Sequence, residues 1–155
     1  MIAHFETVAV CHTVPMADMT MTEAERDQFL ADVRVGVLAI EHPGHGPLAL
    51  PIWYQWADGK VVISMSGTSL KARLLRAAGC ATMTVQTETP PYRYVSVEGP
   101  VEVVSEAGDG LSLASRYLGP EMGKWYADNN PSNDDTVLVY LTPEKWRTCD
   151  FGKGM

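Results

Sequence analysis

Residues 48–76, LALPIWYQWADGKVVISMSGTSLKARLLR, restrict this chain more than any other stretch, because a hairpin signal runs directly into a hydroxyl-rich loop and a basic helix start. Leu48 to Trp56 and Lys60 to Met65 read as two strands joined across Ala57-Asp58-Gly59, which fixes antiparallel pairing in this part of the fold. Ser69 to Ala78 then carries Leu70, Leu74, Leu75 and Ala78 on one helical face and stops at Gly79, a glycine C-cap. Ser64, Ser66, Thr68, Ser69, Lys71 and Arg73 gather where strand becomes helix. The first turn of a helix offers free N–H groups and a partial positive charge, so this junction is a candidate phosphate seat. The same residues also fit a plainer pattern, in which the hydroxyls cap the helix and the two cations are solvated.

The flanking sequence continues in short alternating elements. Thr22 followed by Glu25 is a capping-box signature, and Phe29, Leu30 and Val33 complete a short helix over 22–33. Val35 to Ile40 is an apolar strand closed by the turn HPGHG, and with the hairpin it makes a β-meander. Ala81 to Thr87 and Tyr92 to Val104 are strands separated by Pro90-Pro91, with one face of the second buried. Gly110 to Leu118 reads as a helix, 127–134 as a polar loop, Thr136 to Thr142 as a strand and Lys145 to Cys149 as a last short one. About six antiparallel strands with few helices make a mostly β, α+β fold and suggest a barrel.

Composition narrows the function. The chain has 155 residues, 46% hydrophobic and 20% charged, which suits one domain with its own core. A boundary near Met19 separates a tail, residues 1–18, from a domain over 19–155. The formal net charge of −7 argues against bulk nucleic-acid binding, which needs many Lys and Arg on phosphates. A single anionic small molecule needs only a local basic pocket. No segment sustains a membrane-spanning apolar run, so no membrane partner is expected. Cys11, Cys80 and Cys149 form no CxxC and cannot all pair within one chain, which points to a reducing, cytoplasmic setting. Cys80 at a strand start reads as a buried small apolar residue.

Other candidate chemistry is weaker. His42 and His45 form HxxH, with His4 and His12 elsewhere, but HPGHG is ordinary turn composition and no metal site is expected. No nucleophile motif such as GxSxG is present. No catalytic side chain stands out, and Tyr92 and Tyr94 are the tyrosines considered as proton donors. Trp53 and Trp56 share a strand at odd spacing, so at least one faces the core. Trp146 reads as a core tryptophan of a closing strand, followed by a tail from Asp150 that could reach a second subunit.

The order helix, strand, strand with PIWY, hairpin DG, strand ending in Ser, then SLKARLLRAAG resembles the split β-barrel flavin and deazaflavin oxidoreductases related to pyridoxamine 5′-phosphate oxidase. The likeness runs from about Thr20 to Phe151, with its weight on 48–79 and on PEKWRTCDFGK, and is nearest the branch that uses the deazaflavin coenzyme F-420. The resemblance implies an FMN-binding type of split barrel, a homodimer, and a cofactor ring lying in a groove between subunits. It makes Lys71 the phosphate-binding lysine, Ser64 the hydroxyl that ends the preceding strand and Arg73 the next basic residue, with Ser66, Thr68 and Ser69 lining the connecting loop. Pro51, Ile52 and Trp53 fall where the family packs a strand against the ring. Relatives often place Arg at position 69, where this chain has Ser.

One departure separates this chain from the oxidase itself. The oxidase carries an arginine-led strand motif, whereas ALPIWYQW has no basic residue, which argues against pyridoxamine phosphate as substrate and weakens FMN as cofactor. The expectation is therefore an F-420 (8-hydroxy-5-deazaflavin)-dependent oxidoreductase that transfers a hydride to or from a small conjugated organic substrate. FMN is the alternative cofactor, and a non-catalytic cofactor or tetrapyrrole carrier is the alternative of another class. The loops 89–94 and 119–133 are expected to set specificity.

Overall fold

The alternating runs pair antiparallel throughout, in a curled sheet of eight strands with four α-helices at its ends and rims. The computed structural model describes residues 18–155. The expected tail over 1–18, with Cys11, His4 and His12, lies almost wholly outside the described residues. Helix α1 spans Glu23–Ala31, and strands β1 Gly36–Ile40, β2 Leu48–Ile52, β3 Gln55–Ala57 and β4 Lys60–Ser66 follow. Next come α2 Leu70–Ala78, β5 Cys80–Gln86, β6 Arg93–Val104, α3 Gly110–Leu118, α4 Pro120–Asn129, β7 Thr136–Leu141 and β8 Lys145–Asp150. The sheet order is β2-β1-β5-β6-β7-β4-β3, with β8 added to β6. Alternate residues of β4, β5 and β7 face inward, and Leu38, Ile63, Leu75, Met83, Val97 and Leu141 are fully buried in the common core.

Strand β6 holds the two halves together. Its first part pairs with β5 through Pro100 and with β8 through Glu98, while Val101–Val104 pair with β7. The change of partner falls at Gly99, where the chain turning from β7 to β8 crosses so closely that a Cβ would lie 1.9 Å from the Thr142 carbonyl oxygen. Thr142 N–H donates to Pro100 O at 3.0 Å and Glu144 N–H to Glu98 O at 2.9 Å, which fixes that corner.

The expected single hairpin is split. Strand β2 pairs only with β1, and β3 only with β4, so the meander opens between Ile52 and Gln55. Tyr54 causes the break. Its side chain is fully buried, and its hydroxyl donates to Leu30 O at 2.9 Å. Its backbone N–H donates not to a neighbouring strand but to Tyr117 Oη at 3.1 Å, and that hydroxyl donates on to Arg34 O at 2.8 Å. Burial pushes the Tyr54 phenol well above its ordinary pKa, so it remains a donor.

Helix α1 carries both halves of the capping box, Glu25 N–H to Thr22 Oγ1 at 3.3 Å and Thr22 N–H to Glu25 Oε2 at 2.7 Å. Its far end is closed by α3. The Arg116 guanidinium donates to Ala31 O at 2.9 Å and Asp32 O at 2.8 Å, placing a cation on carbonyls that the helix leaves unpaired. Arg116→Ala should lower stability by about 1.5 kcal/mol, the scale of charge-assisted hydrogen bonds at a half-buried site. Urea denaturation checks this, and an unchanged midpoint would remove Arg116 from that role.

Two further expectations are corrected. The polar stretch 127–134 is not all loop, because α4 continues to Asn129. Gly119 at φ 81° followed by Pro120 at the helix start is the signal for that helix. Gly123 lets it lie on α3, where a Cβ would stand 2.5 Å from Ser115 Cα. Cys80 is exposed rather than buried, because its alternate neighbour Ala81 takes the inward face of β5. The C-terminal segment folds back on its own chain, with Lys153 Nζ 2.6 Å from Glu25 Oε2 and 2.8 Å from Thr20 O.

Candidate functional site

A cleft of about 820 Å³ opens between the β2–β3 break, the end of β4 and the paired helices α3 and α4. Its size is that of a small-molecule site. Pro51, Ile52 and Trp53 form one wall, Ser64, Met65 and Ser66 line the β4 side, and Leu113, Ala114 and Tyr126 face them from the helices. Leaving the β-ladder at Tyr54 is what turns Trp53 toward this space. Its indole stacks on Tyr117 at 4.9 Å between ring centroids, 3° from parallel, and Tyr126 leans on it at 5.6 Å and 54°. The Tyr117 ring that backs Trp53 is itself tied through its hydroxyl to the Tyr54 and Arg34 backbones.

Five of the nine candidate binding residues therefore meet in one cleft: Pro51, Ile52, Trp53, Ser64 and Ser66. Thr68, Ser69, Lys71 and Arg73 lie just beyond it, on the loop and helix turn that follow Ser66. Ser69 is the N-cap of α2, accepting from Ala72 N–H at 3.2 Å and donating to Ser66 O at 2.7 Å. Lys71 is half-buried and Arg73 exposed. Neither enters an ion pair among the described residues, in contrast to Lys145 and Arg147, which share Glu98. Arg76 Nη1 donates to Gly67 O at 2.6 Å and pins the loop.

The hydroxyl loop has an anion of its own that the sequence did not announce. Ser66 Oγ and Thr68 Oγ1 both donate to Asp135 Oδ2, the latter at 3.0 Å, and Gly67 N–H donates to the Asp135 carbonyl at 2.7 Å. The hydrogen bond from Ser66, reinforced by Thr68 and by the Arg76 charge, holds the Asp135 carboxyl below its usual range against the opposing effect of burial. It is ionised at neutral pH.

Several expected contributors lie elsewhere. Tyr92 and Tyr94 are outside the cleft and line a shallow hollow with Arg93 and Phe151. The tyrosine in the cleft is Tyr126, hidden from sequence reading because it sits on the helix that polar composition disguised. Residues 119–133 do reach the site through α4, whereas 89–94 do not. Trp56 packs on the core, edge-on to Trp146 at 6.0 Å, and the Arg26 guanidinium stacks 3.9 Å from the Trp146 ring. His42 and His45 stack on each other at 4.2 Å in their turn. Among the described residues, no group of three His, Cys, Asp or Glu side chains could hold a metal ion. A second groove, lined by 32–35, Val37, Pro51, Thr84 and 86–89, meets the cleft at Val35 and Pro51.

The comparison with known proteins bears on the fold that carries this cleft. Residues 22–150 match the family model described as pyridoxamine 5′-phosphate oxidase. No curated protein matches the chain in sequence. Among solved structures, a conserved hypothetical protein from Mycobacterium tuberculosis is 30% identical, with a TM-score of 0.74 over 88% of this chain and 89% of that one. An F420 reductase is 26% identical, with a TM-score of 0.65 over 78% of this chain and 94% of that one. A FAD-binding protein from Mesorhizobium loti shares the fold at 18% identity and a TM-score of 0.61, over 83% of this chain and 94% of that one. The split barrel and the match over 22–150 place this chain in the pyridoxamine 5′-phosphate oxidase family, within the superfamily of flavin- and deazaflavin-binding oxidoreductases.

Proposed function

We propose that this protein is an oxidoreductase that uses coenzyme F-420 to pass a hydride to or from a small conjugated organic molecule. The observation that carries the proposal is the cleft itself, where the Pro51–Trp53 wall faces Ser64 and Ser66, with Lys71 and Arg73 just beyond and in no ion pair among the described residues. The site fits such a coenzyme in volume and in the chemistry of its walls. Bound deazaflavin supplies a hydride-donating and hydride-accepting ring carbon. The chain's own work is orientation. Pro51, Ile52 and Trp53 present a flat apolar surface to the ring, Leu113 and Ala114 keep water from the opposite side, and Ser64 and Ser66 offer hydroxyls to its polar edge. Lys71, Arg73 and the first turn of α2 take the anionic arm, with Thr68 and Ser69 shaping the loop between. Tyr126, which lines the cleft, is the candidate source or acceptor of a proton.

Two features favour the deazaflavin over FMN. The β2–β3 segment has no basic residue to complete a cage for a terminal phosphate, and Asp135 already occupies two of the loop hydroxyls. The likeness to an F420 reductase points the same way. Titration monitored by tryptophan emission should give micromolar or tighter affinity for coenzyme F-420 and weaker affinity for FMN. Reduced coenzyme should then be consumed when enoates or quinones are added. Tight FMN binding with no deazaflavin affinity would reverse the assignment, and binding without turnover on any acceptor would make the protein a carrier.

The same reading makes the active form a homodimer. Val33, Val35 and Val37 are 55%, 49% and 43% exposed along the groove that adjoins the cleft, an apolar strip suited to a second copy. Light scattering at micromolar concentration should report twice the chain mass. The same reading expects a cytoplasmic location, in keeping with the free thiols of Cys80 and Cys149.

A further inference from the structure

We propose that Asp135 is a specificity-determining residue that selects the cofactor by the charge on its phosphate, disfavouring a terminal monoester against a diester. The inference rests on the functional reading above and extends it to a residue outside the expected binding set.

Asp135 is built into the loop. Its backbone carbonyl accepts from Gly67 N–H at 2.7 Å, its N–H donates to Asn133 Oδ1 at 2.9 Å, and Thr136 closes the turn by donating its N–H to Asn133 O at 2.9 Å. Gly67 has no room for a side chain there, since a Cβ would lie 2.9 Å from the Asp135 carbonyl oxygen. The carboxylate is thus held where it accepts from both Ser66 and Thr68.

Two consequences follow for an incoming phosphate. The hydroxyls facing it have already given their protons to Asp135, so they turn lone pairs outward. The carboxylate also adds one negative charge to the loop that Arg76 pins, at the entry to the helix that carries Lys71 and Arg73. A terminal phosphate monoester carries about −1.5 to −2 at neutral pH, because its second pKa is near 6. A phosphodiester carries a single charge. Repulsion from one fixed carboxylate therefore grows with the ligand's charge, and Asp135 weakens the monoester more. FMN ends in a monoester, whereas the phosphate of coenzyme F-420 is a diester that continues into its acidic tail.

The test compares wild type and Asp135→Asn with ligands that share one ring: riboflavin, FMN and the monomethyl phosphodiester of FMN. Tryptophan emission gives each affinity, and a parallel titration uses coenzyme F-420. The variant should tighten the FMN diester roughly fivefold and FMN roughly twentyfold, with riboflavin unchanged, on the scale of one partly screened charge; coenzyme F-420, whose tail carboxylates add charge of their own, should tighten at least as much as the diester. Asp135→Ser supplies the same comparison if the amide variant melts early. An equal change for all ring compounds, or none, would overturn the role of Asp135 while leaving the cofactor assignment standing. Absence of coenzyme F-420 binding in wild type and variant alike would instead remove the functional reading, and this inference with it.

Discussion

Gly99→Ala is expected to destabilise the protein by about 3 kcal/mol, the upper range for forcing an atom into packed structure. The added Cβ would stand 1.9 Å from the Thr142 carbonyl oxygen, 3.0 Å from its carbon and 3.1 Å from Glu144 N. All three are backbone atoms, so no side chain can swing aside. Relief requires moving either the bend of β6 or the turn between β7 and β8. That bend is where β6 exchanges its β5 and β8 partners for β7, so the strain falls on the joint between the two halves of the sheet. The melting temperature should fall by roughly 10 °C for a chain of this size. Gly46→Ala is the matching control, because nothing lies within 4 Å of its Cβ position. A Gly99→Ala melt within about 2 °C of wild type would show that the corner yields more easily than its geometry implies.

Lys71→Ala should weaken coenzyme binding by about 1.5 to 3 kcal/mol, the value of a hydrogen bond to a charged group. Stability should hardly change, since Lys71 sits on the first turn of α2 with no ion-pair partner among the described residues and Ser69 already supplies the cap. That separation distinguishes a binding role from a structural one. Loss of affinity with an unchanged melting curve supports the cationic seat. Unchanged affinity would move the phosphate elsewhere, and loss of both together would make Lys71 part of the scaffold. Arg73→Ala should act in the same direction but less, because its more exposed charge is better screened.

The fold was legible wherever local chemistry and tertiary structure agree. Thr22 and Glu25 form the capping box that their spacing announces, Gly79 closes α2 at φ 67°, and the period-2 runs of β4, β5 and β7 bury alternate residues. The hairpin at Asp58-Gly59 forms, but its first strand is cut short by a contact invisible to pattern: the Tyr117 hydroxyl, distant in sequence, takes the Tyr54 N–H. Helix α4 was hidden for a related reason. Its outer face is polar enough to read as loop, and its place depends on Gly123 meeting Ser115.

The candidate site divides in the same way. Pro51 to Trp53, Ser64 and Ser66 could be found because they are close in sequence to one strand–loop–helix unit. Tyr126 and Asp135 could not, because the helices and β7 bring them in from elsewhere. Asp135 also changes what the hydroxyl loop means. The loop that reads as an open phosphate seat already holds a carboxylate, which shifts the main attraction for an anion onto Lys71, Arg73 and the helix end.

The most direct test is a crystal structure of the protein soaked with millimolar coenzyme F-420. The ring should lie against Pro51, Ile52 and Trp53, with the phosphate in hydrogen-bond reach of Lys71 or Arg73. A ring bound on another surface, or a cleft that stays empty while the crystals contain coenzyme, would contradict the assignment.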